Sequence, residues 1–252
     1  MQLKQVFRRP KGLTDVPFSY CPGCTHGIIH RLIGEVLEEL DIIGDTIGVS
    51  SVGCSAFAAE FFACDFVQGL HGRACAVATG VKRAKPDRYV FTYQGDGDIA
   101  AIGTSHAIHA AARGEKFTTI MVNNAIYGMT GGQMAPTTLE GQVTTTSPYG
   151  RDIKIVGSPI DFPKVIATLP GAAYVAAMAV DSPKNIAATK QAIKKAFKVQ
   201  AAGLGYSLVS VLSTCPTNWG MSPVDSLKWL REHMMPIYEM GEIKVVEEAK
   251  AL

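Results

Sequence analysis

Two hydrophobic periods alternate along the chain. Short, continuous apolar runs occur at TIGVSSV (46–52), YVFTYQ (89–94), FTTIMV (117–122), AAYVAAMAV (172–180) and YSLVSVL (206–212). Runs of this kind are expected of parallel strands covered on both faces. Between them the period lengthens. In GIIHRLIGEVLEEL (27–40), Ile28, Leu32, Val36 and Leu40 recur every four residues, as one helix face requires. PKNIAATKQAIKKAFKVQ (183–200) is amphipathic, with Pro183 in its first turn and Gly203 just past its end. GRACAVATGVKRA (72–84) reads as a further helix. This alternation predicts an α/β fold with a doubly wound, mostly parallel sheet, in a single domain spanning 1–252. EGQVTTTSPYGRD (140–152) reads as a long polar loop, a feature that is uncommon in compact domains unless it is functional. Residues 216–252 predict a helix followed by an arm. Its Met235, Ile237, Tyr238 and Met240 would pack either on a partner or on the domain itself.

Ligands of open α/β sheets bind beyond the carboxyl ends of the strands. Two polar sequences fall there. Gly95-Asp96-Gly97-Asp98 follows the strand at 89–94, and Asn123-Asn124 ends the strand at 117–122. Core packing needs neither. If the two strands are neighbours, Asp96 and Asn124 converge. A carboxylate and an amide carbonyl are hard oxygen donors suited to Mg²⁺, which holds few protein ligands and takes substrate phosphates for the rest. Gly95 and Gly97 allow close backbone approach to a phosphate. The helix from Asp98 onward turns its amino end to the same place. Ordinary turn chemistry would explain either half alone. A dinucleotide site is disfavoured, because no G-x-G-x-x-G opens a helix after a strand.

Composition narrows the picture. The 47% hydrophobic content is ample for a buried core, and a net charge of +2 gives no electrostatic case for nucleic acid. No apolar run reaches the roughly 18 residues of a membrane span. The start, MQLKQVFRRPKG, is basic but lacks the apolar stretch of a signal peptide. These features predict a soluble, cytoplasmic protein with no nucleic-acid or membrane partner. Its six cysteines are then poor candidates for structural disulfides. Cys21 and Cys24 form a C-x-x-C, Cys54 follows the strand at 46–52, and Cys215 follows the strand at 206–212. Four thiolates can hold a [4Fe–4S] cluster or a Zn²⁺ ion. Cys64 and Cys75 have no partner spacing and read as small buried hydrophobes.

GDGD followed by NNAIYGMTGGQ resembles the thiamine-diphosphate motif of the β subunits of 2-oxoacid:ferredoxin oxidoreductases, of the 2-oxoisovalerate type. The resemblance runs from YCPGCTHG to STCPTNWG, nearly the whole chain. It implies the diphosphate-binding half of a thiamine-diphosphate fold, with residues 1–26 as an N-terminal cluster-ligand segment. It also implies that Mg²⁺ is held by Asp96, Asn124 and the Ile126 backbone carbonyl. Gly97, Asp98, Gly128, Met129 and Thr130 would line the cofactor, as would Val52, Gly53, Cys54 and Ser55. His71, in LHGRA, would stand at the cofactor as a catalytic group, hydrogen-bonding diphosphate or substrate. For Cys21, Cys24, Cys54 and Cys215 the resemblance favours a [4Fe–4S] cluster over zinc. The implied reaction is CoA-dependent oxidative decarboxylation of a 2-oxoacid, with electrons passing to ferredoxin. The pyrimidine-binding domain and its activating Glu would come from an α subunit, with γ and ferredoxin-like δ subunits completing the assembly. A non-oxidative thiamine enzyme would not need the four cysteines. A simple iron–sulfur or zinc module would not need Asp96 and Asn124.

Substrate choice is read from what is missing. A second carboxylate on the substrate, as in 2-oxoglutarate, requires a cation or several donors in its pocket. Relatives of that type often carry lysines in the third-cysteine segment and in the thiamine loop. Here Phe57 and Gly131 occupy those places. An aromatic ring and an open glycine suit a branched-chain or aryl 2-oxoacid, with 2-oxoglutarate and pyruvate as alternatives.

Overall fold

The computed structural model describes residues 7–252. The first six residues of the expected N-terminal ligand segment lie outside the described residues. Seven strands form one sheet: β1 (Thr46–Ser50), β2 (Asp65–Gln68), β3 (Tyr89–Gly95), β4 (Thr118–Asn123), β5 (Ala172–Ala179), β6 (Tyr206–Leu212) and β7 (Gly241–Val245). Their order is β2-β1-β3-β4-β6-β5-β7. Every pairing is parallel except β5 with β7, which is antiparallel. All five expected strands are present, and β2 and β7 are additions.

The apolar runs become strands because both faces of the sheet are covered. Every residue of β4 and β6 is buried. On one face lie the helices His26–Glu39 and Pro183–Ala201, whose Ile29, Ile33, Leu37, Ile193 and Phe197 pack with Phe91 and Val209. On the other lie Ala74–Ala84, Thr104–Ala112 and Phe162–Ala167, around Phe117, Val90 and Tyr206. Phe91 meets the rings of Phe62, Phe66 and Phe197 at centroid distances of 5.6–5.9 Å. Truncating so enclosed a ring costs about 3–5 kcal/mol in comparable cores. Among the described residues, no helix is long and apolar enough to cross a membrane.

The C-terminal arm packs on its own domain, one of the two expected alternatives. Tyr238 is buried and donates to the Thr137 carbonyl at 2.6 Å, while Met235 and Met240 are partly buried against their own domain. Only Ile237 of that group stays exposed. The arm continues as β7, which covers the β5 edge, and ends in a short helical turn at Glu247–Ala249. Loop 140–152 is also ordered by its own contacts. Arg151, 5% exposed, donates to the carbonyls of Ala135, Pro136, Thr138, Gly157 and Ser158. Cys75 is buried as expected, with its thiol donating to Gln94 Oε1 at 3.2 Å; Cys64 is only partly so.

Candidate active site

Strands β1, β3, β4 and β6 are consecutive neighbours, and each delivers one chemistry-bearing residue at its carboxyl end. These are Cys54, Asp96, Asn124 and Cys215, in the same order as the strands. Strands β3 and β4 pair in register, Gly95 beside Val122, so the residues just beyond them meet.

Asp96 is 2% exposed. Its Oδ2 accepts from the Thr137 hydroxyl. Its Oδ1 faces the Asn124 amide. With that amide's oxygen turned inward, the oxygen lies 3.2 Å from Asp96 Oδ1 and 2.7 Å from the Ile126 carbonyl oxygen. In this orientation the Ile126 N–H, at 3.3 Å, donates to the same amide oxygen. With the amide reversed, its NH₂ donates to both oxygens instead. Oxygens in an octahedral Mg²⁺ shell stand about 2.9 Å apart along an edge, given bonds near 2.05 Å. When the amide oxygen faces inward, its separations from Asp96 Oδ1 and from the Ile126 carbonyl oxygen both lie near that edge, so the corner offers three oxygen donors. Ala125, between the two β4-end donors, holds φ at +56°, which turns the Ile126 carbonyl back toward Asp96. Burial pushes the Asp96 carboxyl up to about 6, against the opposing hydrogen bonds from Thr137 and from the backbone N–H groups of Gly97 and Ala125. A divalent cation would supply the counter-charge this carboxylate lacks.

A cavity of about 610 Å³ opens beside this corner, within the range of small-molecule and cofactor sites. The sequence-predicted residues Val52, Gly53, Cys54, Ser55, His71, Asp96, Gly97, Asp98, Asn124, Ile126, Gly128, Met129 and Thr130 all line it. Side chains built on Gly53 or Gly95 would meet nothing within 4 Å, so the wall there is bare backbone. Gly97 serves a different purpose. A Cβ on it would lie 2.3 Å from the Tyr127 ring, and the Tyr127 hydroxyl donates to the Gly97 carbonyl at 3.0 Å. Ser55 lines the cavity with a buried hydroxyl that has no partner. His71 Nδ1 lies 2.8 Å from Asp98 Oδ1, without hydrogen-bond alignment. Asp98 also accepts from Ser51 Oγ, the Gly72 N–H and Gln94 Nε2, so its carboxylate is engaged by the protein and holds the His71 loop in place.

Phe57 and Gly131 are not among the wall residues. Phe57 packs edge-on against Tyr20, and Gly131 has only Gln133 near the position of a Cβ. The substrate-pocket role expected for them has no counterpart in this cavity. Conversely, His26, Tyr127 and Gln133 line it and were not singled out as site residues. Tyr127 and Gln133 lie inside the NNAIYGMTGGQ segment, whose continuity was the available signal. His26 offered only its place two residues after Cys24. Its Nδ1 pairs with the Tyr93 hydroxyl at 2.7 Å, and burial pushes its imidazole down to about 4, keeping the ring neutral at pH 7.

The four cysteines come from three segments that are sewn together. In the C-x-x-C turn, the Cys24 N–H donates to the Cys21 carbonyl at 3.0 Å, and Gly23 adopts φ +79° against Pro223. Thr214 Oγ1 donates to the Gly23 carbonyl, and Thr25 shares a hydrogen bond with Ser213, fastening this turn to the end of β6. The Tyr20 hydroxyl reaches the Cys54 carbonyl at 3.3 Å. Burial pushes the Cys24 thiol up to about 12 and Cys54 to about 11, with Cys215 and Cys21 raising both further; Cys215 is raised chiefly by burial too, with Cys21 adding to it. Among the described residues, no three His, Cys, Asp or Glu side chains stand at the spacing of a single metal ion.

Comparison with known proteins gives the class. Residues 51–211 match the family model described as thiamine pyrophosphate enzyme, C-terminal TPP binding domain. The ketoisovalerate oxidoreductase subunit VorA of Methanothermobacter thermautotrophicus is 46% identical over 232 residues, 92% of this chain and 49% of the relative. The 2-oxoglutarate synthase subunit KorB of Methanocaldococcus jannaschii is 39% identical over 90% of this chain and 83% of its own length. A solved 2-oxoglutarate:ferredoxin oxidoreductase from Magnetococcus marinus superposes with a TM-score of 0.77 at 33% identity, covering 91% of this chain and 74% of that one. The chain therefore belongs to the thiamine-pyrophosphate-binding family, among the subunits of 2-oxoacid:ferredoxin oxidoreductases. It spans about half the length of the VorA relatives.

Proposed function

We propose that this chain is the thiamine-diphosphate-binding β subunit of a CoA-dependent 2-oxoacid oxidoreductase. The assembly converts a branched-chain 2-oxoacid such as 2-oxoisovalerate to acyl-CoA and CO₂ and passes the electrons through a [4Fe–4S] cluster to ferredoxin. The observation that carries this reading is the position of Gly128. A Cβ there would stand 3.4 Å from Cys215 Sγ, 3.7 Å from Cys54 Sγ and 3.6 Å from the Asn124 amide. One residue without a side chain thus separates the oxygen-ligand corner from the thiols. A decarboxylase that returns a proton to its product has no use for that proximity; an enzyme that removes electrons does.

In this reading Asp96, Asn124 and the Ile126 carbonyl hold Mg²⁺, and the diphosphate lies along the bare backbone of Gly53 and Gly95. Val52, Ser55, Gly97, Asp98, Met129 and Thr130 complete the wall. Thiamine diphosphate, when bound, supplies the carbon nucleophile and electron sink for decarboxylation. His71, held beside Asp98, donates to diphosphate or substrate. Cys21, Cys24, Cys54 and Cys215 ligate the cluster, as four thiolates can.

The cavity mouth supports an α subunit that brings the pyrimidine-binding domain and its Glu. Val52, Ile102 and Met129 line it at 42–49% exposure, an apolar rim that needs a cover. The γ and δ subunits, and a cytoplasmic location, belong to the same proposal. The substrate preference rests on the VorA similarity. The KorB similarity and the M. marinus structure favour 2-oxoglutarate as the second reading.

An anaerobic assay of the copurified complex with CoA, a low-potential dye and a panel of 2-oxoacids decides between them. The expected result is a kcat/KM for 2-oxoisovalerate at least about tenfold above that for 2-oxoglutarate, roughly 1.4 kcal/mol in transition-state binding. The reverse order would remove the branched-chain assignment and leave the thiamine and cluster assignments standing.

A further inference from the structure

Residues 135–138, Ala-Pro-Thr-Thr, lie between the thiamine loop and loop 140–152. Thr137 and Thr138 are both fully buried. The Thr137 hydroxyl donates to Asp96 Oδ2. The Thr138 hydroxyl donates to the Ala125 carbonyl at 2.7 Å. One dipeptide therefore grips both halves of the oxygen corner, the carboxylate after β3 and the turn after β4. The segment is itself immobilised. Arg151 donates to the carbonyls of Ala135, Pro136 and Thr138 at 2.8–3.1 Å, and the Tyr238 hydroxyl takes the Thr137 carbonyl at 2.6 Å. The Thr138 Oγ1 also accepts from the Ala135 N–H at 2.8 Å. Every carbonyl from 135 to 138 has a donor.

We propose that Thr137 and Thr138 are positioning residues for the divalent cation. An ionised carboxylate accepts only, so the Thr137 hydroxyl must give its proton to Oδ2. That fixes the carboxylate plane and leaves Oδ1 as the single oxygen aimed at Asn124 and the Ile126 carbonyl. Thr138 fixes the peptide between Ala125 and Ile126, where Ala125 holds its positive φ, and so aims the third ligand. Partners behind a metal ligand set its orientation, and their loss typically reduces metal affinity by about 10–100-fold. Arg151 and Tyr238 act one step further out, linking loop 140–152 and the C-terminal segment to the cation.

This inference rests on the proposed Mg²⁺ corner, and the experiment separates the two. Mg²⁺ is titrated into the metal-depleted complex in the presence of thiamine diphosphate, and cofactor retention after gel filtration is measured alongside. Thr137→Val, which keeps the shape and removes the hydroxyl, is compared with Thr137→Ser, which keeps the hydroxyl, and with Asp96→Ala. The expected result is a Kd for Mg²⁺ raised about 10–100-fold in Thr137→Val, restored to within about threefold in Thr137→Ser, and no measurable retention in Asp96→Ala. Loss of retention in Asp96→Ala with wild-type affinity in Thr137→Val would overturn the positioning role alone. Equal weakening in the Ser and Val variants would also overturn it, by tracing the effect to packing. Full retention in Asp96→Ala would remove the corner itself.

Discussion

Asp98 illustrates how a motif residue can stand in the expected place for an unexpected reason. The sequence places it in GDGD, beside the cofactor. It does line the cavity, yet its two oxygens are engaged by Ser51, Gly72 and Gln94, with His71 at 2.8 Å. Ser51 and Gly72 are distant in sequence, and their part could not be read from it. In Asp98→Asn, one oxygen becomes an NH₂ facing donors, and the charge that strengthens the remaining bonds is lost. The expected cost is about 2–3 kcal/mol, read as a lowered urea midpoint with unchanged slope. A midpoint matching the wild type would mean that the carboxylate does not organise the His71 loop. Gly97 carries the same lesson. Its motif position was legible, but the reason that only glycine fits is the Tyr127 ring 30 residues away.

At the level of elements, the legible strands were those buried on both faces. β4 and β6 are unbroken buried runs, and their boundaries fall within a residue of the expected ones. β2 and β7 escaped because they are edge strands. In Asp65–Gln68 three of the four residues are exposed, so the apolar signal is absent, and in Gly241–Val245 Glu242 is exposed and the other four are half-buried, with no alternation. Edge strands lack the two-sided burial that writes a pattern into the sequence. The two helices on one sheet face were legible, but the ion pairs between them were not. Lys190 bridges Glu35 at 2.8 Å and Glu39 at 2.5 Å, and Lys194 reaches Glu39 at 3.0 Å. Hydrogen bonding to Lys190 holds Glu39 below its ordinary value of 4.5. Burial pushes Glu35 up, but Lys190 and Arg31 outweigh it and leave that carboxyl lowered too. A carboxylate lowered on folding contributes stability that is fully present above its unfolded value and is lost as pH falls through the folded one. Lys190→Met is therefore expected to cost about 0.5–1 kcal/mol at pH 7, after allowance for solvent screening, with the difference from wild type shrinking as pH drops below 4.5. Urea unfolding of both proteins across that range checks it. A difference independent of pH would assign the loss to packing of the lysine stem rather than to its charge.

Across the whole molecule, the functional reading depends on strand order. The sequence supplied four strand-end residues, Cys54, Asp96, Asn124 and Cys215, but not which strands are neighbours. The order β1-β3-β4-β6 puts oxygen donors in the middle and cysteines on both sides, and the C-x-x-C turn closes over them through Thr25 and Thr214. The apolar mouth faces outward, where a second subunit would complete the cofactor site. The central claim is that one sheet edge carries two separable centres, a Mg²⁺–diphosphate corner and an iron–sulfur site, in contact through Gly128. The most direct measurement is thiamine diphosphate and iron determined in the same anaerobically purified complex for the wild type, Asp96→Ala and Cys215→Ser. The account predicts that Asp96→Ala loses most of its thiamine diphosphate and keeps its iron, whereas Cys215→Ser loses iron and its reduced-state paramagnetic signal and keeps thiamine diphosphate. Full cofactor occupancy in Asp96→Ala, or unchanged iron and signal in Cys215→Ser, would contradict it.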